Sequence, residues 1–564
     1  MNQIKNLNQP FFKKIWDFLS DRDNKKKNAV IFNIIILIIS CGFSLFMVFR
    51  HECFRDEAQA WLIARDVPFS DFFTELKYEM HPMLWFLVLM PFARLGFPYI
   101  TLNIISWLFT VASLFMLMFK LKFNKLLKLL IAFSPFFLYW YPAVSRDYVL
   151  SAFFMFLLMC FYPERHEKPI RYSLAAAALF STHVIMLGIG LAVIAVEAGE
   201  IIYDKAKKNA VSVKRFIALG IELFGGLFLY LQLSGGTQLN KDVGHQTEPM
   251  AFFDYLLTEL YDIMSDFFGM DTPTKFFSYY GDGNFDYKIV LSSLLLFCFI
   301  LFFILLLKKP RQLVFYVLGA GCIIGMQVTV YFSNAQRTGI LYLLFLFIIS
   351  SFEYDKLYTP KQRKDGKKDI EINYKSVLSV FIAISCLIAI IISPTTYFSG
   401  DINGNFSGSK SIAEYIDKNV PEDVPVIGFW DNSMTSIMAY LKTERMFYSP
   451  FYKGAYSYVI WNEDYQKGSE EYRAPLNDAY SYIKYCEKNN KEYDTSNVKV
   501  LDKFYELIQK DFEKSDKVMV VFSGSVSKIF AYDTSINKDK FILKKRAASY
   551  YDREETLSIY ELTI

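Results

Sequence analysis

The chain has 564 residues, of which 53% are hydrophobic and 18% aromatic, with a mean hydropathy of +0.22 and a formal net charge of +4. A soluble protein of this length would divide into several domains with far more polar surfaces, so the composition excludes an ordinary soluble enzyme. The seven cysteines show no CxxC or Cys/His spacing of the kind that indicates a zinc site or a disulfide framework.

Apolar runs long enough to cross a bilayer recur along residues 29–394. A hydrocarbon core of about 30 Å needs about 20 apolar residues in a helix. The first 28 residues are polar and basic, and the run after them is too long for a signal peptide, so we expect a retained first span. Short Lys/Arg-rich loops lie in the cytoplasm, so an even number of crossings separates any two of them. About eleven spans are predicted, at residues 29–49, 98–119, 129–144, 148–162, 172–182, 184–202, 216–231, 287–307, 312–332, 338–353 and 376–394.

The run 82–97 breaks this pattern. It is about 16 residues long, which makes a helix of ~24 Å, and it contains Pro91 and Arg94. If it crossed the membrane as well, the basic loop at Lys120 would lie outside the cytoplasm. We therefore predict that 82–97 lies in the outer leaflet without crossing, and that 50–97 forms one large external segment.

The last part of the chain has the composition of an ordinary soluble domain. Strand-like runs alternate there with helical patterns, which is typical of a small α/β domain. The strand-like runs are 424–430, 517–523 and 557–562, and the helical patterns are 411–418, 433–441 and 498–512. The predicted division is a cytoplasmic segment at 1–28, a membrane domain at 29–394 and an extracytoplasmic domain at 395–564.

Charged and histidine side chains at membrane edges collect on the side that this topology places outside. A charge at the bilayer centre costs about 2.5–3.5 kcal/mol on insertion scales, so intramembrane charges are candidates for function. At the membrane edge, solvated helix starts, local ion pairs, snorkelling and buried histidines are ordinary alternatives. A carboxylate that can act as a base, together with cations that can hold an anionic leaving group, suits displacement at a phosphate-linked sugar carbon. The candidates are Asp56, Glu57, Glu79, His81, Arg146, Asp147, His183 and Arg337.

Four short segments carry these residues. They are His51–Asp66 (HECFRDEAQAWLIARD), Tyr78–Pro82 (YEMHP), Ser145–Tyr148 (SRDY) and Gln336–Gly339 (QRTG). In this order, and across roughly residues 30–350, they resemble segments of the GT-C glycosyltransferases. Within that superfamily they are most similar to the bacterial relatives of protein O-mannosyltransferases and of the aminoarabinose transferases that modify lipid A. The resemblance implies a GT-C-like α-helical membrane fold of many spans.

The resemblance also implies an activity and roles for these residues. Such an enzyme moves a monosaccharide from a polyprenyl-phosphate carrier to an acceptor at the outer membrane face, with inversion. The first-loop aspartate of these enzymes lies at the reaction centre and corresponds to Asp56, which Glu57 follows. The aspartate after the third span corresponds to Asp147. The segment before the interfacial proline lies near the lipid phosphate, and here it holds Glu79 and His81.

One departure from the aminoarabinose enzymes concerns the phosphate contact. His81 stands where those enzymes have a lysine, and a neutral histidine is a hydrogen-bond donor without a fixed charge. Arg146 or Arg337 can supply the cation instead, and His183 belongs to the same phosphate-binding group. The implied partners are the lipid-linked donor, membrane lipid and a glycan, lipid or protein acceptor, without nucleic acid. No cofactor is required, and a divalent metal is optional.

Two other classes of protein fit parts of the pattern. An O-antigen-type polymerase or ligase carries its chemistry on a large external loop, for which 232–286 is the candidate, with His245, Glu248 and Asp271. That loop lacks paired arginines. A transporter or sensor with an external binding domain is the third class, but the sequence shows no mid-membrane charges, broken helices or pseudo-repeats typical of transporters. We therefore expect the transferase.

Overall fold

A computed structural model describes most of the chain. The residues that it describes are 13–14, 16–21, 26–234, 256, 260–263, 266–267, 287–329, 333–354, 374–392, 397–443, 445–449 and 454–564. His245, Glu248 and Asp271, the candidates of the polymerase alternative, lie outside them. The described residues fall into two compact units. The helical unit takes them from Met1–Phe49, Asn103–Gln232 and Asn240–Phe398, and the sheet unit from Arg50–Leu102, Leu233–Leu239 and Ser399–Ile564.

Helices dominate the chain up to about residue 400, and strands enter after it. The helices of the first part are α1 (Lys26–Arg50), α2 (Arg55–Asp66), α3 (Phe72–Glu79), α4 (Leu84–Arg94), α5 (Thr101–Phe119), α6 (Lys125–Ala132), α7 (Tyr148–Phe161), α8 (Pro169–Phe180), α9 (Leu187–Ala206), α10 (Val213–Leu233), α11 (Tyr287–Leu306), α12 (Pro310–Val314), α13 (Gly321–Thr329), α14 (Ala335–Ser351) and α15 (Tyr374–Ile392). The elements that follow are α16 (Tyr397–Asn403), α17 (Ser409–Asn419), β1 (Val426–Phe429), α18 (Asp431–Tyr440), β2 (Phe447–Ser449), β3 (Gly454–Tyr456), α19 (Glu463–Gly468), α20 (Ala474–Lys488), α21 (Asp502–Asp511), β4 (Lys517–Phe522), α22 (Gly524–Tyr532), β5 (Phe541–Ala547) and β6 (Leu557–Thr563).

The protein is a multi-pass membrane protein, as the sequence predicts. A helix satisfies all its backbone hydrogen bonds within one segment, which a bilayer requires. Within the described residues, six helices are long and apolar enough to cross: Lys27–Arg50, Thr101–Phe119, Val184–Ala206, Val213–Leu233, Pro310–Thr329 and Lys375–Ile392. Shorter apolar helices are Leu84–Arg94, Tyr148–Glu164, Leu296–Leu306 and Ala335–Ser351. Every predicted span contains a helix in the structure.

Helical structure is interrupted within the span predicted at 129–144. Helix α6 ends at Ala132, and a single π-helical turn at Phe136–Trp140 follows. Pro135 explains the break, because its ring removes a backbone donor and clashes with the preceding turn. A second π-helical turn, Phe315–Ala320, lies between α12 and α13. Such turns inside helices are rare and are frequent at functional sites.

Helix α14 packs closely on the first of these turns. A Cβ added at Gly339 would lie 2.4 Å from the Tyr141 hydroxyl and 2.9 Å from Cδ1 of Phe136. Glycine is therefore required where α14 passes the irregular segment. This close packing brings the start of α14 near the segment that leads into α7.

The sheet unit contains one six-stranded sheet in the order β3-β2-β1-β4-β6-β5. Strand β1 is parallel to both β2 and β4, and the other pairs are antiparallel. Helices α20, α21 and α22 share a hydrophobic core with alternate residues of β1 and β4, including Ile427 and Val520. Helix α18 packs on the opposite face, where a Cβ added at Gly428 would meet Met434. The predicted α/β architecture is confirmed.

The segment 50–97 packs with this sheet. Gln59 of α2 exchanges two hydrogen bonds with the backbone of Val459, from Nε2 to the carbonyl at 2.6 Å and from the Val459 N–H to Oε1 at 3.0 Å. Helix α4 is 11 residues long, about 16 Å, and is too short to span. It packs on α2, where Arg94 donates to the carbonyl oxygen of Ala64 at 3.1 Å. The division into 29–394 and 395–564 stays a prediction, because compactness groups this segment with the sheet.

Candidate functional site

Three helix starts in the helical unit carry candidate residues. Arg146 and Asp147 directly precede α7, because the chain turns there between two apolar helices. His183 precedes the 3-10 turn Val184–Met186, and its Nδ1 accepts the backbone N–H of Ile185 at 3.1 Å. Arg337 lies in the first turn of α14, where the Asn334 side chain caps the helix by accepting the Arg337 N–H at 2.9 Å. Local capping therefore fixes the backbone at two of the three positions.

Three of these four residues contact Tyr148, which the fourth, Asp147, directly precedes. Arg337 Nε donates to the Tyr148 hydroxyl at 3.0 Å, and the Arg146 guanidinium lies 5.2 Å from the centre of the Tyr148 ring. The His183 ring stacks on the same tyrosine, with 4.5 Å between ring centroids. A carboxylate oxygen of Asp147 lies within 4.8 Å of a ring nitrogen of His183. Both Asp147 and His183 are buried, whereas the two arginines are half-buried.

This group is suited to an anion. Two guanidinium groups and a tyrosine hydroxyl lie together, and guanidinium forks match phosphate oxygens geometrically. Since Nδ1 of neutral His183 accepts a backbone hydrogen bond, its proton is on Nε2, which makes that nitrogen a donor. The cluster thus offers several donors with one carboxylate beside them.

Two amide side chains hold the irregular segment that leads to this group. Gln336 Nε2 donates to the carbonyl oxygens of Trp140 at 2.7 Å and Val144 at 2.8 Å. Asn103 Nδ2 donates to Ala143 O at 2.8 Å and to Ser145 Oγ at 2.9 Å. Sequence reasoning missed both amides as well as the central Tyr148. A buried amide inside an apolar run was the available signal, because it must find hydrogen-bond partners there.

In the sheet unit, Asp56 and Glu57 begin α2 but have opposite surroundings. The Asp56 side chain is 38% exposed, and its carboxylate lies 3.9 Å from Nε of Arg55. The Glu57 side chain is fully buried, and its Oε2 accepts the backbone N–H of Phe54 at 3.1 Å. Glu57 therefore closes the start of the helix, while Asp56 is accessible to a reactant.

A buried histidine holds Glu57 in place. His51 Nε2 lies 3.1 Å from Glu57 Oε2, and His51 Nδ1 lies 3.0 Å from Asp401 Oδ2. The other Asp401 oxygen accepts the Tyr550 hydroxyl at 2.6 Å. Burial alone lowers the pKa of His51, but the Glu57 and Asp401 carboxylates outweigh it and raise that pKa to about 10. His51 is therefore an imidazolium at neutral pH, a role that was not predicted although it opens the first motif.

Arg55 fixes the other side of the same turn. Its guanidinium lies 2.8 Å from Asp552 Oδ2 and 3.7 Å from Glu555 Oε1. Burial lowers the pKa of Arg55, but these carboxylates raise it above its usual range. The motif's arginine therefore anchors the loop to the C-terminal part of the sheet unit.

Glu79 and His81 lie near the end of α3. Glu79 Oε1 accepts a hydrogen bond from Gln59 Nε2 at 2.6 Å. Burial raises the pKa of Glu79 to about 8, with a lowering contribution from Gln59 and a raising one from the Asp56 charge. Glu79 is thus mostly protonated at pH 7. His81 follows Met80, whose positive φ of 56° turns the chain from α3 towards α4.

The predicted candidates are divided equally between the units. The sheet unit holds Asp56, Glu57, Glu79 and His81, and the helical unit holds Arg146, Asp147, His183 and Arg337. Within the helical unit, Arg146, His183 and Arg337 contact Tyr148, and Asp147 lies near His183. Within the sheet unit, Asp56 and Glu79 influence each other electrostatically, whereas Glu57 faces the buried His51.

Similarity to known proteins is found among solved structures. No protein-family model matches the chain, and no curated protein matches it. Among solved structures, it is similar to ArnT from Cupriavidus metallidurans in the apo state, with 11% sequence identity and a TM-score of 0.37. The match covers 94% of this chain and 97% of that one. A likeness of this degree does not assign an activity, which has to come from the side chains.

Proposed function

We propose that the protein is a membrane glycosyltransferase of the GT-C type that moves a monosaccharide from a polyprenyl-phosphate carrier to an acceptor hydroxyl. The observation that carries this proposal is the meeting of Arg146 and Arg337 at Tyr148, at the ends of apolar helices. Cations at a membrane edge bind a lipid phosphate while the lipid tail stays in the bilayer. We place this edge, and the sheet unit, on the extracytoplasmic side, with the N-terminus in the cytoplasm.

The helical unit binds the leaving group in this proposal. As the bond between the anomeric carbon and the phosphate oxygen breaks, its electron pair stays on the phosphate. Arg146 and Arg337 stabilise that charge, and the Tyr148 hydroxyl and the His183 Nε2–H add two neutral donors. Asp147 lies beside His183. Glu79, which is mostly protonated at pH 7, and His81 stay candidate hydrogen-bond donors in the sheet unit. A lipid phosphate leaves readily, so a metal is optional.

Asp56 is the proposed base. It removes the proton of the acceptor hydroxyl while that oxygen forms a bond to the anomeric carbon, in a transition state of oxocarbenium character. Direct displacement inverts the anomeric centre. Glu57 is a positioning residue, because it is fully buried and fixes the first turn of α2 through Phe54 and His51. By fixing this turn, Glu57 positions the neighbouring Asp56.

The test substitutes Asp56 alone. Surface glycans are compared by mass spectrometry in cells that lack the protein and in the same cells carrying wild type, Asp56→Asn or Asp71→Asn. Asp71 is an exposed aspartate before α3 whose side chain makes no capping bond, so it is a matched control. Wild type and Asp71→Asn restore one added monosaccharide, whereas Asp56→Asn, at equal membrane abundance, does not. Full restoration by Asp56→Asn would remove Asp56 from the role of base.

A further inference from the structure

The carboxyl ends of β1 and β4 form one edge of the sheet in the sheet unit. The two strands are parallel neighbours, with Phe429 opposite Phe522. From β1 the chain passes through α18 to β2 on one side, and from β4 it passes through α22 towards β5 and β6 on the other. Open α/β sheets bind ligands where the connections diverge in this way, outside the carboxyl ends of the strands.

Buried polar atoms without a hydrogen-bond partner collect at this edge. Proteins pair nearly all their buried polar groups, so an unpaired cluster needs a ligand or water. Among the residues that the structure describes, such atoms at the starts of α18 and α22 are Asp431 Oδ2, Asn432 Oδ1, Ser433 Oγ, Ser523 Oγ and Ser527 Oγ. Asp431, Ser433 and Ser523 are 0% exposed. Ser523 is the N-cap residue of α22, yet its side chain makes no capping bond.

The backbone at this edge is strained. Trp430, between β1 and α18, has φ 74° and ψ 66°, a left-handed conformation that costs a bulky residue about 1–3 kcal/mol. The Arg473 guanidinium lies 4.5 Å from the Trp430 ring centre and donates to the Tyr465 hydroxyl at 3.0 Å. That hydroxyl donates to Asp431 Oδ1 at 3.4 Å. One carboxylate oxygen of Asp431 is thus held by Tyr465, and the other, Oδ2, has no hydrogen-bond partner.

The chemistry of these atoms selects the ligand. Carboxylate and amide oxygens only accept hydrogen bonds, so the ligand must supply donors. Burial raises the pKa of Asp431 to about 6, against the lowering effect of Arg473, so the group is mainly ionised at pH 7. Glu554, whose Oε2 also has no partner, accepts from Ser525 in the first turn of α22. Two carboxyl groups at these helix starts disfavour a phosphate, although helix N-termini otherwise attract anions.

A metal ion does not fit the same atoms. Within the described part of the chain, neither Asp431 nor Glu554 belongs to a group of three acidic, histidine or cysteine side chains close enough to share an ion. A polyol ligand would satisfy the unpaired oxygens, because its hydroxyls donate hydrogen bonds to them. The serine hydroxyls can also donate to the ligand. The rings of Trp430 and Trp461, which contact Arg473 and Tyr465, suit the apolar face of a sugar ring.

Helix α18 links this edge to Asp56 inside the sheet unit. Its first turn supplies Asp431 and Ser433, and one turn later the Thr435 hydroxyl donates to the Arg55 carbonyl at 3.5 Å. Arg55 directly precedes Asp56. A ligand on the first turn of α18 is therefore bound by the helix that contacts the loop of the proposed base.

We propose that the carboxyl edge of β1 and β4 binds a neutral saccharide through Asp431, Ser433 and Ser523. Resting on the proposed function, this saccharide is part of the acceptor glycan, and the site gives the transferase its acceptor specificity. The ligand bridges the starts of α18 and α22 and supplies the hydroxyl donors that the unpaired oxygens require.

Binding is measured on the full-length protein in detergent with an array of neutral mono- and oligosaccharides. Wild type binds one class of saccharide, and Asp431→Asn and Ser523→Ala each raise the dissociation constant at least about tenfold at unchanged melting temperature. Matched controls are Asp478→Asn and Ser481→Ala, two exposed positions of α20. No binding by wild type, or equal binding by both variants, overturns the proposal. Ser523→Ala keeps the test valid if Asp431→Asn fails to fold.

The two proposals fail separately. Saccharide binding that requires Asp431, together with surface glycans that are identical in cells with and without the protein, would refute the transferase and keep the site. Asp56-dependent glycan transfer without saccharide binding would refute the site alone.

Discussion

Adjacent acidic residues can have opposite surroundings because a helix turns by about 100° per residue. Asp56 and Glu57 are equivalent in the sequence, and both were predicted as catalytic. The structure buries Glu57 against His51 and leaves Asp56 38% exposed. The sequence identified the pair, but not which member is accessible, because that depends on Asp401 and Phe54, which surround the first turn of α2.

At the same scale, Arg337 is the sharpest test of phosphate binding. Arg337→Ala is expected to raise the KM for a polyprenyl-phosphate sugar by roughly ten- to a hundredfold, since a hydrogen bond to a charged group contributes about 1.5–3 kcal/mol. Arg337→Lys keeps the positive charge but loses the two-pronged guanidinium geometry. Its KM should lie between those of wild type and Arg337→Ala. The measurement is initial transfer rate against donor concentration.

Arg171→Ala is the control, because Arg171 pairs with the half-exposed Glu164 at the other ends of α7 and α8. It should keep the wild-type KM. An unchanged KM in Arg337→Ala would show that this arginine does not hold the donor.

At the scale of elements, hydrophobic periodicity predicted most helices and the buried strands. β1, β4 and β6 are apolar and mostly buried, so their runs were visible in the sequence. β2 and β3 are three residues each, too short for a pattern, and β5 reads FILKKRA because it is an exposed edge strand. The break after α6 could have been predicted from Pro135, but the stabilisation by Gln336 could not, because it comes from 196 residues away.

The His51 bridge joins the loop before α2 to α16 and should make stability depend on pH. The folded pKa of His51 is about 10, above the usual 6.5. Its contribution is therefore complete below about pH 6.5 and falls as pH rises to about 10. His51→Gln should remove this slope and cost about 3–5 kcal/mol at pH 6, because it leaves two buried carboxylates without their cation.

Thermal unfolding of the full-length protein in detergent between pH 6 and pH 10 measures this effect. His166→Gln is the control, since the His166 side chain is 44% exposed, whereas that of His51 is fully buried. If His51→Gln and wild type lose stability in parallel across this range, the bridge does not carry a proton.

At the scale of the whole molecule, the sequence predicted the spans and the α/β domain, but not that the first external segment packs with that domain. The contacts that join them link residues 350 to 400 positions apart, such as His51 to Asp401 and Gln59 to Val459. No local sequence pattern around either residue predicts its distant partner. Separate reading of segments therefore finds the elements and misses their grouping.

The proposed topology places the sheet unit outside and the loop between α9 and α10 in the cytoplasm. In intact cells, a membrane-impermeant maleimide should label Lys488→Cys and leave Lys207→Cys unlabelled until the membrane is permeabilised. Both lysines are exposed, so access to solvent does not distinguish them. Labelling of both positions, or of Lys207→Cys alone, would contradict the orientation. Wild type provides the background, since its seven cysteines are buried or half-buried.

The central claim is that a polyprenyl-phosphate sugar is the donor. The most direct measurement incubates the purified full-length protein with a panel of such donors, each labelled in the sugar, together with membrane extract as acceptor. We expect one donor to release polyprenyl phosphate and transfer its label in equal amounts, with nucleotide sugars inactive. Transfer from a nucleotide sugar, or no release of polyprenyl phosphate from any donor in the panel, would contradict the account.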